Sequence, residues 1–262
     1  MWQFWIDRGG TFTDIVARKP DGSILIDKLL SENSKAYNDA AIAGIKRILN
    51  IKNEDQIPVD KISSVKMGTT VATNALLERK GDRTLLLITQ GFGDLLRIGY
   101  QNRPLLFDLN IKLPELLYER VVEVAERLDS KGNIIKNVNE EEVRLSLKKA
   151  KLDGINSLAI AFMHSYINPD HENKIAKIAF EEGFDQISVS HKVSPLIKLV
   201  GRGDTTIVDA YLSPILRRYV NQVSEELKET KSTKLMFMQS NGGLTDAKFF
   251  QGKDALLSGP AG

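Results

Sequence analysis

The chain has no cysteine and only three histidines among its 262 residues, and no block of five like charges. Without cysteine there are no disulfides, no thiolate metal sites and no cysteine nucleophile. Lys and Arg number 36 against 34 Asp and Glu, a formal net charge of +2 with histidine neutral. The two signs alternate along the chain rather than forming a basic stripe, so no nucleic-acid partner is expected. The longest apolar runs, such as that around Leu85–Ile88, fall far short of the ~20 residues that span a bilayer, so no membrane partner is expected. Strand-like residues begin at Trp2 and an acid stands at Asp7, which is not the pattern of a leader peptide. The expectation is a soluble, cytoplasmic protein of mixed class.

What is there reads first as a meander. Trp2–Ile6 and Thr11–Ala17 are apolar and β-branched, Asp21-Gly22 is a hairpin turn, and Ser23–Leu30 continues the run. Ser34 is expected to cap a helix through Leu49, and a helix over Thr70–Lys80 is expected to close on Gly81. From Asn139 onward helices and strands alternate: Glu140–Leu152, Ser157–Phe162, Pro169–Glu182, Ile187–Ser190. A long helix is expected from about Asp204 to Glu229, kinked or restarted at Pro214 behind a Ser213 cap. Met236 and Met238 are read as core residues of a strand Lys234–Met238. This alternation implies an α/β fold with a largely parallel sheet, opened by an antiparallel meander.

The most informative stretch is Asp7-Arg8-Gly9-Gly10-Thr11-Phe12-Thr13-Asp14. Paired glycines after a strand let backbone N–H groups approach an anion closely. Thr11 and Thr13 offer further donors, and Asp7 can hold the waters of a magnesium ion. An ordinary hairpin turn is the alternative, since paired glycines are common there. The pattern is a strand-to-strand phosphate loop; no GxxxxGK[ST] occurs in the chain. Gly68, Thr69, Thr70 and Asn74 fall at a strand-to-helix junction, where free N–H groups suit an anion or a carbonyl oxygen; simple helix capping by Thr69-Thr70 is the alternative. His164 and His171 read as capping or hydrogen-bonding residues rather than metal ligands, and His191 as structural.

These residues carry a family resemblance. Asp-x-Gly-Gly-Thr-Phe-Thr-Asp resembles the first phosphate motif of the hydantoinase A/5-oxoprolinase family of actin-like and sugar-kinase-like ATPases. Gly68–Arg79, Gly91–Asp94, Gln101–Pro104, His164–Tyr166 with His171-Glu172, Asp209–Leu212, Met238–Gly243 and Leu257–Gly262 resemble its later signatures in order. The resemblance implies an actin-like, ribonuclease H-like core lobe with an inserted α/β subdomain: core over 1–64, insertion over 65–190, return to the core over 191–262. It implies ATP and Mg2+, a cyclic amide substrate of the hydantoin or 5-oxoproline type, and a hydantoinase B-type subunit or domain as partner. Asp7, Thr69, Thr70 and Asn74 would then be catalytic, with Asp7 also on the metal. Gly9, Gly10, Thr11, Thr13, Asp14, Asn241, Gly242 and Gly243 would bind the nucleotide. A ketone carboxylase subunit and a non-catalytic, partner-binding remnant are the alternatives.

The chain departs from the family pattern at three places. Met67 stands where histidine is usual, which removes any acid–base or ligand role there. Gly201-Arg202-Gly203-Asp204 replaces an acidic-Arg-Thr pattern, and Asp209 replaces asparagine. The resemblance stops at Gly262, ahead of the second phosphate motif, so little ATPase activity and some self-association are expected of this chain alone.

Overall fold

The computed structural model describes residues 1–102, 107–111, 113–227 and 233–258. Its strands are β1 (Trp2–Arg8), β2 (Phe12–Arg18), β3 (Ile24–Leu30), β4 (Ile62–Thr69), β5 (Thr84–Thr89), β6 (Arg120–Val124), β7 (Arg127–Leu128), β8 (Ile134–Lys136), β9 (Ser157–Ala161), β10 (Gln186–Val189), β11 (Lys234–Met238) and β12 (Leu244–Asp246). Its α-helices are α1 (Ala40–Ile48), α2 (Val71–Leu77), α3 (Leu95–Ile98), α4 (Glu140–Leu152), α5 (Asp170–Glu181), α6 (Ser190–Val193), α7 (Leu199–Leu227) and α8 (Gly252–Ala255). The chain forms two compact units, Met1–Lys80 with the segment from Ile215 onward, and Gly81–Pro214. These borders differ from the expected 65 and 190. β4 pairs in parallel with β1 and so belongs to the first sheet, while the first half of α7 packs on the second.

The first unit is built on a six-stranded sheet in the order β12-β11-β4-β1-β2-β3. β1, β2 and β3 form the antiparallel meander, and β1, β4 and β11 run parallel, the ribonuclease H-like order. Strand alternation puts Phe4, Ile6, Ile15 and Ala17 on a buried face. Helix α1 lies against it so closely that a Cβ on Gly44 would fall 1.9 Å from Ile15 Cδ1. Its cap is Asp39, which accepts the Ile42 N–H at 3.1 Å, rather than Ser34. Trp5, Phe12, Ile24, Ile26 and Leu30 on the opposite face are exposed. In β11 it is Leu235 and Phe237 that are buried, whereas Met236 and Met238 are half-buried. The alternation was legible but its phase is set by pairing, which puts Phe237 beside the buried Met67.

The second unit carries an all-parallel sheet, β10-β9-β5-β6, whose central strands β5 and β9 are buried throughout. Such continuous burial is what covering both faces of a parallel sheet requires. Helices α4 and α5 supply Val143, Leu147, Ile175 and Ile178 to one core, and Leu199, Ile207 and Ala210 of α7 pack with Leu86 and Ile88 in another.

Helix α2 ends earlier than expected, and of the kink or restart expected at Pro214 the restart does not occur, each for a physical reason. Helix α2 stops at Leu77, three residues early, and Arg79 takes the left-handed conformation at φ 55°. The Lys80 N–H then reaches Ala75 O at 2.9 Å, the terminal bond of a Schellman turn. Gly81 serves a different purpose: a Cβ there would lie 2.0 Å from the Tyr211 ring, and Asp82 N–H donates to Tyr211 O at 3.1 Å. Helix α7 continues through Pro214. The proline removes the donor that Ala210 O would receive, and the Ser157 hydroxyl donates to that carbonyl instead. Ser213 bonds Asp209 Oδ1 at 3.0 Å rather than capping a restart.

At the C-terminal ends of β5, β9 and β10 lies a buried polar network. Glu172 Oε1 accepts Phe162 N–H at 2.9 Å and the Ser190 hydroxyl at 2.6 Å. Its Oε2 accepts His191 N–H at 3.0 Å and lies 2.6 Å from His191 Nδ1. Fully buried Arg202 donates to Ser190 Oγ and to the carbonyls of Phe162 and Leu196. Burial pulls its pKa below the ordinary arginine value. His171 Nδ1 meets the buried Glu126 at 2.7 Å. His171 and His191 are therefore hydrogen-bonding residues, whereas the buried His164 Nδ1 has no partner among the described residues; the departures at Arg202 and Asp209 are buried.

Candidate functional site

β1, β4 and β11 are parallel, so their C-terminal ends, and the loops that follow them, lie along one edge of the first sheet. The turn between β1 and β2 is closed by Gly9 N–H donating to Phe12 O at 3.0 Å. A Cβ on Gly9 would sit 2.9 Å from that same oxygen, so a side chain there opens the turn. Arg8 O accepts both the Thr70 N–H at 3.0 Å and the Thr70 hydroxyl at 3.2 Å. The Gly10 and Thr11 N–H groups have no partner among the described residues. Gly10 faces Asn74, whose Nδ2 would lie 3.3 Å from a Cβ at that position.

Asp7 is level with Asp14 on β2 and with Gly68 on β4, on the open face. A Cβ on Gly68 would meet Asp7 Oδ1 at 3.3 Å, so the glycine makes room for the carboxylate. Partial burial first, and the Asp14 charge second, hold the Asp7 pKa above the usual carboxylate range. Asp14 is itself paired with Lys28 at 2.8 Å. Burial and, to a smaller extent, the Asp14 charge thus disfavour the Asp7 carboxylate, and a nearby cation would favour it.

Several expected site residues turn out to be supports. Thr13 is fully buried and its hydroxyl lies 3.0 Å from Ser31 Oγ, so it does not face a ligand. Thr69 is fully buried and its Oγ1 accepts the Val71 N–H at 3.2 Å, capping α2. The Thr70 hydroxyl accepts from Asn74 Nδ2 at 3.3 Å while tying α2 to β1. Asn241, Gly242 and Gly243 form the exposed turn after β11, with Gly242 at φ 81° and Gly243 N–H held by Asn241 Oδ1 at 2.8 Å. Met67 is buried on the covered face, opposite the face of its neighbour Gly68 and of Asp7. Its thioether packs the core and leaves the site alone.

Three supporting residues escaped sequence reading. Arg8 lies over the Tyr219 ring at 5.0 Å, with Nε 3.7 Å from Asp39, and anchors the strand end beneath the turn. Ser258 donates to Thr69 O at 2.6 Å; Gly259–Gly262, in the last matched motif, lie outside the described residues, as do Arg103-Pro104. Ser31 contacts the turn itself. The signal for it was present: the Asp21-Gly22 turn fixes the β2–β3 register, pairing Phe12 with Leu30, and the next residues are Thr11 and Ser31.

Gly9→Ala is expected to lower anion affinity about tenfold and to destabilise the chain by about 1–3 kcal/mol, the usual penalty for forcing an atom into occupied space. Phosphate titration and chemical denaturation of the same sample check both.

The chain that carries this turn and its neighbouring carboxylate matches known proteins over nearly its whole length. The hydantoinase/oxoprolinase N-terminal region model matches residues 3–183, and the hydantoinase/oxoprolinase model matches 202–262. The chain belongs to the hydantoinase/oxoprolinase family. It is 45% identical to 5-oxoprolinase 1 of Arabidopsis thaliana, over 99% of this chain and 23% of that protein. It is 30% identical to the caprolactamase subunit alpha of Pseudomonas jessenii, over 99% of this chain and 38% of that one. The crystal structure of the ATP-dependent caprolactamase from Pseudomonas jessenii superimposes with a TM-score of 0.81 at 28% identity, covering 99% of this chain and 39% of that one. The nucleotide-free acetone carboxylase structure gives 0.81 at 23% identity, with 99% and 39% covered, a likeness of fold. The chain thus spans under a quarter of the oxoprolinase and under two fifths of the caprolactamase subunit. The actin-like core lobe with an inserted α/β unit is the fold of this family member. Among the described residues no helix is long and apolar enough to cross a membrane.

Proposed function

We propose that this chain is the part of an ATP-dependent cyclic amide hydrolase, of the 5-oxoproline type, that receives the nucleotide's phosphates. The observation that carries this reading is the pair of N–H groups at Gly10 and Thr11, and the Asp7 carboxylate beside them, that have no partner among the described residues. An unactivated lactam resists water because its nitrogen is a poor leaving group and its carbonyl a poor electrophile. ATP would supply a phosphoryl group to the lactam oxygen, with ADP as the leaving group; water adding to the activated carbon would then release phosphate as the ring C–N bond breaks and the nitrogen takes a proton. The chain's own task in that transfer is positioning and charge stabilisation. Gly10, Thr11 and Asn74 would orient phosphate oxygens, with Asp14 and the Asn241–Gly243 turn at the border of the nucleotide.

Asp7 fits a role toward Mg2+. Magnesium takes oxygen ligands, keeps several waters and commonly uses only one or two carboxylates beside substrate phosphates. Here Asp7 would hold such a water, and the raised pKa marks the site as one that gains from added positive charge. Exposed Trp5, Phe12, Ile24, Ile26 and Leu30 support a covering partner, a hydantoinase B-type subunit or further domain, and self-association of this chain alone.

Trp5 lies two residues from Asp7 on the same face, which provides a probe. Titration with ATP and Mg2+ is expected to change Trp5 emission saturably, and Asp7→Asn to abolish the change. In the enzyme containing this chain, ring opening of 5-oxoproline is expected to release one ADP per product. Saturation absent from the wild-type chain, together with ring opening that proceeds without ATP, would refute the reading.

A further inference from the structure

Ser31, the residue after β3, touches both flanks of the anion turn. Its N–H donates to Thr11 O at 2.9 Å and its hydroxyl donates to Gly9 O at 2.7 Å. That spends the only hydroxyl proton Ser31 has, so the 3.0 Å contact with Thr13 Oγ1 is a bond donated by Thr13. The side chains making these contacts are buried, Ser31 at 4% exposed and Thr13 fully enclosed, while Gly9 is half-buried and Thr11 is exposed.

We infer that Ser31 is the positioning residue of the anion turn, holding the Gly9 and Thr11 carbonyls inward so that the Gly10 and Thr11 N–H groups remain free for phosphate oxygens. The reasoning is geometric. A peptide unit carries its C=O and N–H on opposite sides, so fixing the Gly9 carbonyl toward Ser31 turns the Gly10 N–H away from it. The Thr11 carbonyl shares its peptide with the Phe12 N–H, so fixing it pins the far side of the turn, and the Gly10–Thr11 peptide that carries the Thr11 N–H is held between two fixed neighbours. Two glycines in sequence are otherwise free to rotate either peptide, and an anion would then meet carbonyl oxygens for part of the time. Thr13 acts one step further back: by donating to Ser31 it leaves the serine proton no acceptor but Gly9 O. The choice of phosphate as ligand rests on the function proposed above; the positioning role does not.

The test separates the two. Backbone relaxation of the 15N-labelled chain is measured for wild type, Ser31→Ala, Ser31→Thr and Thr13→Val, followed by titration with inorganic phosphate. Ser31→Ala is expected to drop the order parameters of Gly10 and Thr11 from ~0.85 to below ~0.6, with those of β1 and α2 unchanged. Phosphate affinity is expected to fall about tenfold, one hydrogen bond's worth of orientation. Ser31→Thr keeps the hydroxyl and restores both, and Thr13→Val falls between. Gly10 and Thr11 amides as rigid in Ser31→Ala as in wild type would overturn the positioning role. A turn that loosens in Ser31→Ala while the wild-type chain binds no phosphate would uphold it and remove the phosphate reading instead. If Ser31→Ala fails to fold, Thr13→Val carries the same comparison, and an unchanged turn in it counts against the proposal.

Discussion

Asp7→Asn is expected to make the chain melt at a higher temperature at neutral pH while depriving the enzyme that contains it of ATP-driven turnover. The two effects have one origin. Partial burial and the Asp14 charge raise the Asp7 pKa in the folded state, so the folded chain binds this proton more tightly than the unfolded chain does. Stability from this group is present in full below the unfolded carboxylate value and is lost as pH rises through the folded one. At neutral pH the charged form therefore counts against folding, and asparagine removes that penalty. The melting-temperature difference between variant and wild type should be largest at neutral pH. It should vanish once the pH lies below the ordinary carboxylate range. Turnover moves the other way: loss of a placed electrostatic partner of the transferring group is expected to lower kcat by about a hundredfold or more. A variant that melts lower than wild type at neutral pH would show that Asp7 is a structural anion and that its environment has been misjudged.

The second large effect lies in the other unit. Glu172→Ala is expected to cost about 3–5 kcal/mol, the range seen when one member of a buried charged network is removed. The carboxylate accepts from Phe162 N–H after β9, and from Ser190 and His191 after β10. Truncation leaves two backbone N–H groups without partners and the enclosed Arg202 guanidinium without a nearby opposite charge. Amide hydrogen exchange in β5 and β9 reads this unit separately, which matters because a two-unit chain need not unfold in one step. Glu172→Gln, which keeps one acceptor oxygen, should lose less. A change below ~1 kcal/mol in β9 for the alanine variant would mean the network contributes specificity of packing and little stability.

How much was legible in the sequence follows from the range of the forces involved. The meander and the strands of the second unit were readable because their signals are local: a two-residue turn and short apolar runs. The turn at Gly9-Gly10 was readable because glycine pairs answer a backbone need. Misreadings concentrate where a distant partner decides. Thr13 and Thr69 look like ligands in sequence, but the hydroxyl of one meets Ser31 and the carbonyl of the other meets Ser258. The Met236/Met238 phase was set by β4, some 170 positions away in the chain, and no local pattern carries that. Gly81 looked like a helix terminator because the Tyr211 ring that requires it is far off in sequence.

That last contact has a consequence for how the chain assembles. Strand β11 must find β4 with the whole of Gly81–Pro214 between them, and an unstructured connection of that length carries a sizeable closure entropy. Within the second unit, however, Gly81 packs on Tyr211 and Asp82 bonds its carbonyl, so the two ends of the insertion are fastened together by the insertion's own fold. Once it has folded, the first sheet sees a short tether in place of a long loop. Because closure entropy grows only with the logarithm of length, shortening the effective loop roughly fivefold recovers about 1.5 kcal/mol. The insertion can then be lengthened or shortened internally with little effect on the sheet that carries Asp7, provided its two ends still meet at Gly81 and Tyr211.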